Sequence, residues 1–241
     1  MNNSAIINQI LALSLETTGR IGSVAIGSNG KLSDAKTLSA PLRHNAELFD
    51  TINKFFKNNG WTVNQTKQIY ISVGPGSFTG IRISVTFAKM MALAAESKIV
   101  AVNTSNAMAM NVEDGKRNKI ATIIDAKRGL FFIAVFERKN NLWEKILPDC
   151  MMTAEQFKEK FGDEQISLLG EGLLYYSKNF ETANIKILDK ELWSPRASNV
   201  FKLGVQMAAE GKFSDPVSLV PFYLRRPEAE ENLEKKTNSE P

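Results

Sequence analysis

The spacing of apolar positions along the chain runs through one programme twice. Residues 10–15 form an apolar stretch that ends in Glu16-Thr17-Thr18-Gly19. Residues 22–27 alternate, and Ser28-Asn29-Gly30 turns into a third stretch over 31–38. Three such stretches joined by tight turns predict an antiparallel meander. From residue 45 the period changes. Ala46, Phe49, Ile52 and Phe56 recur at helical spacing with Leu48 and Phe55 beside them, and Asn59-Gly60 ends a helix predicted over 45–58. A buried strand over 68–73 runs into Gly74-Pro75-Gly76-Ser77-Phe78-Thr79-Gly80. A long helix is then predicted over 79–96, a strand over 99–102 and a short helix over 105–112.

A polar stretch over 113–118 breaks the pattern, and the programme restarts. A strand over 120–124 leads into Asp125-Ala126-Lys127-Arg128-Gly129, a second strand over 130–137, a turn at Asn140-Asn141 and a third strand over 142–147. Helices are predicted over 153–161, 171–180 and 197–210, strands over 166–169 and 185–188, and an extended segment over 220–224. The expected organisation is an N-terminal domain over 1–113, a C-terminal domain over 114–226, and a charged tail over 227–241 that lacks a core pattern and is expected to be disordered. Each half opens with an apolar strand ending in an acid (Glu16, Asp125), followed by a turn with Arg and Gly. A duplicated βββαβα unit of this kind resembles the actin-like ATPase (ribonuclease H-like) fold. In that α/β fold two hairpins face each other across a cleft where a nucleotide's phosphates can sit.

Composition narrows the class. With 43% hydrophobic and 23% charged residues the chain has material for a real core. Its one cysteine, Cys150, excludes an intramolecular disulfide and fits a reducing, cytoplasmic location. The N-terminus has no signal-peptide pattern, and no window is expected to reach the roughly 20 apolar residues of a spanning helix, so no membrane contact is predicted. The net charge of +4 understates the body. The segment 227–241 holds five Glu and two Lys, which leaves residues 1–226 with 28 basic and 21 acidic groups. Such a body suits an RNA-handling complex or simply a solvated surface, and no Arg-rich or aromatic-interleaved stripe stands out.

The loop 74–80 is the most informative stretch. It follows a strand and opens a helix, where backbone N–H groups favour an anion. Ser77 and Thr79 add hydroxyls, Thr79 is the expected N-cap, and Arg82 lies one turn in, within reach of a phosphate or carboxylate. Gly74, Gly76, Ser77, Thr79, Gly80 and Arg82, with Glu16 and Asp125, are therefore the candidate nucleotide-binding residues. The alternative is a tight turn whose glycines only let the helix pack closely.

The same loop, Gly74-Pro75-Gly76-Ser77-Phe78-Thr79-Gly80-Ile81-Arg82-Ile83 followed by Ala88-Lys89, resembles the signature of the TsaB family (also called YeaZ). This is the glycoprotease-like M22 branch of the actin-like superfamily, bacterial proteins of threonylcarbamoyladenosine synthesis in tRNA. Glu16-Thr17 with Gly22-Ser23-Val24-Ala25, Arg43-His44 with Glu47-Leu48, Asp125-Ala126-Lys127-Arg128-Gly129 and Pro221-Phe222-Tyr223-Leu224-Arg225 match in order, over about residues 10–226. The family often has Asp where this chain has Glu16, and Ser where it has Thr18. The resemblance implies a subunit that pairs with a catalytic paralogue, TsaD, in an assembly with the ATPase TsaE. It also implies contact with tRNA through that complex, and ATP or ADP at the junction with the partner rather than a cofactor of its own.

The residue inventory fits a non-catalytic role. The catalytic paralogue is understood to hold a metal with paired histidines on a helix, and this chain has one histidine, His44. No His-Glu-x-x-His and no Gly-x-Ser-x-Gly motif is present, so neither a metal site nor a catalytic residue is assigned, and the peptidase reading has little room. Pairing in the family runs through the helices 45–58 and 79–96. Val85, Ala88, Met91, Ala92 and Ala95, with Phe49 and Ile52, are the candidate interface residues, and Phe87, Met90 and Ala94 form a further stripe. The same surface is expected to support a homodimer. The competing function is a small ATPase or phosphotransferase that uses Glu16, Asp125 and the glycine loop.

Overall fold

A computed structural model describes residues 9–39, 44–113 and 117–225, so the expected tail over 227–241 lies outside the described residues. The first meander is β1 (Leu11–Glu16), β2 (Ser23–Ser28) and β3 (Lys31–Thr37). Then come α1 (His44–Asn58), β4 (Thr66–Ser72), α2 (Phe78–Ala95), β5 (Lys98–Val102) and α3 (Thr104–Ala109). The second meander is β6 (Lys119–Asp125), β7 (Phe131–Lys139) and β8 (Leu142–Met152). It is followed by α4 (Ala154–Phe161), β9 (Ile166–Leu169), α5 (Leu173–Tyr176), β10 (Ile185–Ile187) and α6 (Ala197–Ala209).

The strands form two sheets with orders β3-β2-β1-β4-β5 and β8-β7-β6-β9-β10. In each, the three meander strands pair antiparallel, and the first of them pairs parallel with the strand after the first helix. The two orders are the same once β6–β10 are set against β1–β5. This is the duplicated actin-like arrangement that the strand pattern implies.

Parallel central strands need cover on both faces, and β1 shows how it is met. Leu11, Leu13 and Leu15 pack with Leu48, Ile52, Val85, Ala88 and Met91 on one face. On the other, Ala12 joins Tyr70, Val100, Val200 and Phe201. That second cover comes from late in the chain. The helix at residues 197–209, expected within the C-terminal domain, lies on the first sheet. Gly204 lets it approach so closely that an added Cβ would lie 2.2 Å from the Tyr70 ring. Buried hydrogen bonds fasten its start: Ser14 Oγ donates to Ala197 O at 2.8 Å, and Ala197 N donates to Ser23 Oγ at 2.8 Å.

Two other expectations change. The helix predicted over 171–180 is one short turn of α-helix, Leu173–Tyr176, followed by a 3-10 turn, Ser177–Phe180. And α2 is long and apolar enough to cross a membrane by length and composition, with mean hydropathy 1.3 over 18 residues, contrary to the expectation that no segment would be. Its apolar character is shared between a side buried on the sheet and a side left exposed.

Candidate functional site

The turns β1–β2 and β6–β7 face each other across a cleft of about 510 Å³, floored by the loops after β4 and β9. Thr18, Gly19 and Arg20 come from the first turn, Asp125, Lys127 and Arg128 from the second, and Gly76 and Ser77 from the loop after β4. Glu171, Gly172 and Tyr175 come from the loop after β9, and Phe222, Tyr223 and Arg225 from the C-terminal segment. Asp125 is partly spoken for: Oδ1 accepts from Lys127 N and Oδ2 from Lys127 Nζ, both at 2.7 Å. Among the described residues no group of three or more His, Cys, Asp or Glu stands together as a metal site would.

The eight candidate nucleotide residues are divided by the fold. Gly76, Ser77 and Asp125 line the cleft. Thr79 and Arg82 do not; they line a groove on the far side of α2. Arg82 lies over the Phe78 ring at 3.9 Å and donates from Nε to Tyr223 Oη at 3.2 Å. Ser77, not Thr79, is the N-cap, its Oγ accepting from Gly80 N at 3.3 Å. Gly74, Gly80 and Glu16 sit behind the cleft wall as packing elements. A Cβ on Gly80 would lie 1.7 Å from Thr17 O, and one on Gly76 2.6 Å from Thr18 O at a φ of +156° that disfavours side chains. Ser77 N, a nominal anion donor, is used by Thr18 O at 2.8 Å. Gly76 and Gly80 thus bring the loop against the first hairpin, and Gly74 admits the C-terminal segment at Phe222 O, leaving less of the loop backbone for an anion than the sequence suggested.

Glu16 holds that hairpin from inside. It is fully buried. Its Oε1 accepts from Thr18 N and Thr18 Oγ at 2.5 Å each and from Gly19 N at 3.3 Å, and Oε2 accepts from Ser72 Oγ. Burial pushes its carboxyl above the ordinary value of 4.5, against the downward pull of the Ser72, Thr18 and Gly19 hydrogen bonds. The folded chain therefore holds this proton more tightly than the unfolded chain. The contribution to stability is complete below pH 4.5 and is lost as pH rises through the elevated folded value. Glu16→Gln is expected to remove this dependence. Urea midpoints of wild type and variant should diverge, against the wild type, as pH rises from 4.5, and a difference that stays constant with pH would refute the assignment.

The interface residues are likewise sorted. Val85, Ala88, Met91, Ala95 and Ile52 are buried in the first core, with Ala92 packed partly against it. They face the chain's own sheet, because the small residues at that spacing let α2 settle on β4 and β5. Of the seven, only Phe49 stands in solvent, at 49% exposure, with Met90 at 57% and Leu93 at 88% on the outer side of α2. Phe49, Phe78, Ile83, Phe87 and Met90 line a groove of about 500 Å³ there, with the Phe49 and Phe87 rings 5.9 Å apart.

Sequence reasoning missed Glu171. Gly170-Glu171-Gly172 follows β9 as Gly74-Pro75-Gly76 follows β4, and the glycines do the same work: a Cβ on Gly170 would lie 2.2 Å from Ile123 O of β6. The x-Gly-x-Gly echo after an apolar strand was the available signal. Glu171 reaches across the cleft, with Oε2 accepting from Arg20 N at 2.7 Å and Oε1 from Ser194 Oγ at 2.6 Å.

Comparison with known proteins bears on both fold and role. A family model for tRNA N6-adenosine threonylcarbamoyltransferase, TsaD, matches residues 39–233. The tRNA threonylcarbamoyladenosine biosynthesis protein TsaB of Bacillus subtilis is 32% identical over 196 residues, covering 78% of this chain and 82% of its own length. The Escherichia coli protein of the same name is 26% identical over 219 residues, covering 88% and 94%. YeaZ from Pseudomonas aeruginosa superposes with a TM-score of 0.78 at 19% identity, covering 89% of this chain and 100% of the other. That likeness speaks to the fold alone.

Proposed function

The chain belongs to the TsaB family of tRNA threonylcarbamoyladenosine biosynthesis proteins, and from that membership we propose that it is the non-catalytic partner subunit of a cytoplasmic assembly that makes this nucleoside. In this reading it docks onto a TsaD-like catalytic paralogue of its own fold, and a TsaE-like ATPase completes the complex. ATP or ADP belongs to the junction with the partner, and tRNA is engaged through the assembly. The observation that carries the reading is the outer face of α1 and α2, where Phe49, Met90 and Leu93 stand in water around an apolar groove. Exposed apolar side chains gathered round a groove mark a protein-binding surface. The shortage of imidazole supports it too, since one histidine in the sequence cannot supply a paired-histidine metal centre.

Mixing the purified chain with a TsaD homologue is expected to yield a complex that survives gel filtration and to restore threonylcarbamoyl transfer to tRNA. Two separate peaks and no restored transfer would sink the proposal. Without the partner, the same face is proposed to pair two copies of this chain. Asp125, which lines the same cleft as Gly76 and Ser77, favours a second reading, an ATPase. ATP turnover by the isolated chain that disappears in Asp125→Asn would establish that instead.

A further inference from the structure

We infer that the rim of the cleft is a contact site for single-stranded RNA, one unstacked base lying over Tyr175 while its backbone phosphates meet Arg20, Lys127 and Arg128. The inference rests on the family's tRNA chemistry and not on the docking face. The sequence shows no basic stripe, but folding makes a cluster: Arg20 from one hairpin and Lys127 and Arg128 from the other come to one opening. Tyr175 belongs to that opening and is 72% exposed, with the Arg20 guanidinium 5.9 Å from its ring centroid. An aromatic face left in water beside a cation is the arrangement that stacks a base and tracks its phosphate. Lys127 and Arg128 are held there by consecutive left-handed backbone angles, φ 68° and 58°, a conformation unfavourable for residues with side chains.

The floor selects the ligand's orientation. Glu171 places a carboxylate on the Arg20 N–H, and Asp125 places a second on the opposite wall. Asp125 is already paired with Lys127, whose Nζ lies 2.7 Å from its Oδ2, so the Glu171 carboxylate is the group that repels a polyphosphate pushed inward and accepts a hydrogen bond from a base's amino group. A cleft of about 510 Å³ is of small-ligand size. A strand that offers a base inward and leaves its phosphates at the rim satisfies both zones. Free ATP, whose three phosphates would share the interior with the Glu171 carboxylate, does not.

The test is fluorescence anisotropy of a short fluorescein-labelled single-stranded RNA, and separately of a tRNA, titrated with the full chain at low salt. Tyr175→Ala is expected to weaken binding at least about fivefold, and Tyr175→Phe to retain it. Arg20→Ala is expected to weaken binding and make the log Kd against log salt slope shallower by about 0.7. Excess ATP should not displace the RNA. Both substituted residues are exposed, so folding is not at stake. Unchanged affinity in Tyr175→Ala, or displacement by ATP, overturns the inference. Leu93→Glu, on the docking face, should bind RNA as wild type does. Tyr175-dependent RNA binding in a chain that forms no complex with a TsaD homologue would count against the partner reading alone.

Discussion

Ala88→Glu is expected to remove a large share of the chain's stability, whereas Leu93→Glu, five residues along the same helix, should fold normally and lose its partner. Ala88 is 0% exposed and packed among Ile69, Ile71 and Met91 in the first core. A glutamate there needs space that the close packing of α2 on the sheet does not leave, and it brings a carboxylate with no partner. A buried uncompensated charge costs about 3–5 kcal/mol, against a total stability of about 5–15 kcal/mol for a typical domain. Leu93 is 88% exposed, and a surface substitution of this kind changes stability by only about 0.5 kcal/mol. If the outer face of α2 docks a partner, the new charge is desolvated in the complex. A loss of about 2 kcal/mol there is roughly a 30-fold weaker Kd. Thermal melts by circular dichroism read the first effect and sedimentation with a TsaD homologue reads the second. An Ala88→Glu chain that melts at the wild-type temperature would mean that α2 does not pack as described. A Leu93→Glu chain that binds its partner at wild-type strength would move the docking surface elsewhere.

Gly80→Ala is expected to destabilise the chain by about 3 kcal/mol, the upper part of the range for overpacking. The added methyl would lie 1.7 Å from Thr17 O and 2.8 Å from the Thr17 carbonyl carbon. Both neighbours are backbone, so no side-chain rotation relieves the clash. The first hairpin and α2 must separate, and with them goes the Thr17 Oγ hydrogen bond to Gly80 O at 2.6 Å. Thr18 and Gly19, which line the cleft, ride on that hairpin, so the rim should distort as well. Gly60→Ala is the control. Nothing lies within 4 Å of its Cβ position, and only its φ of +67° opposes a side chain, a cost of about 1–2 kcal/mol. Urea midpoints decide the matter, and equal losses at the two positions would show that hairpin packing is not what Gly80 provides.

The elements themselves could be read from the chain because local physics specifies them. Short apolar runs set β1 and β6, alternation set β2 and β7, the helical spacing of Phe49, Ile52 and Phe56 set α1, and Asn29-Gly30 and Asn140-Asn141 set their turns; all four turn residues adopt left-handed backbone angles. The segment after β9 misled because Leu173, Tyr176 and Phe180 share a face at helical spacing, yet the chain changes to a 3-10 turn at Ser177. Spacing alone does not distinguish one continuous helix from two short turns that bury the same residues.

What the sequence determined alone was the order of strands and helices, the repetition of that order, the single imidazole and the family signature at residues 74–83. Each is a local pattern or a count. Which face of α2 meets water, whether Gly76 and Gly80 cradle an anion or admit a hairpin, and which cations share an opening were decided by tertiary structure. Ala88 and Leu93 are both apolar and differ by a rotation about the helix axis that acquires meaning only when a sheet covers one side. Arg20, Lys127 and Tyr175 lie more than a hundred residues apart at their extremes and meet because two copies of one fold face each other.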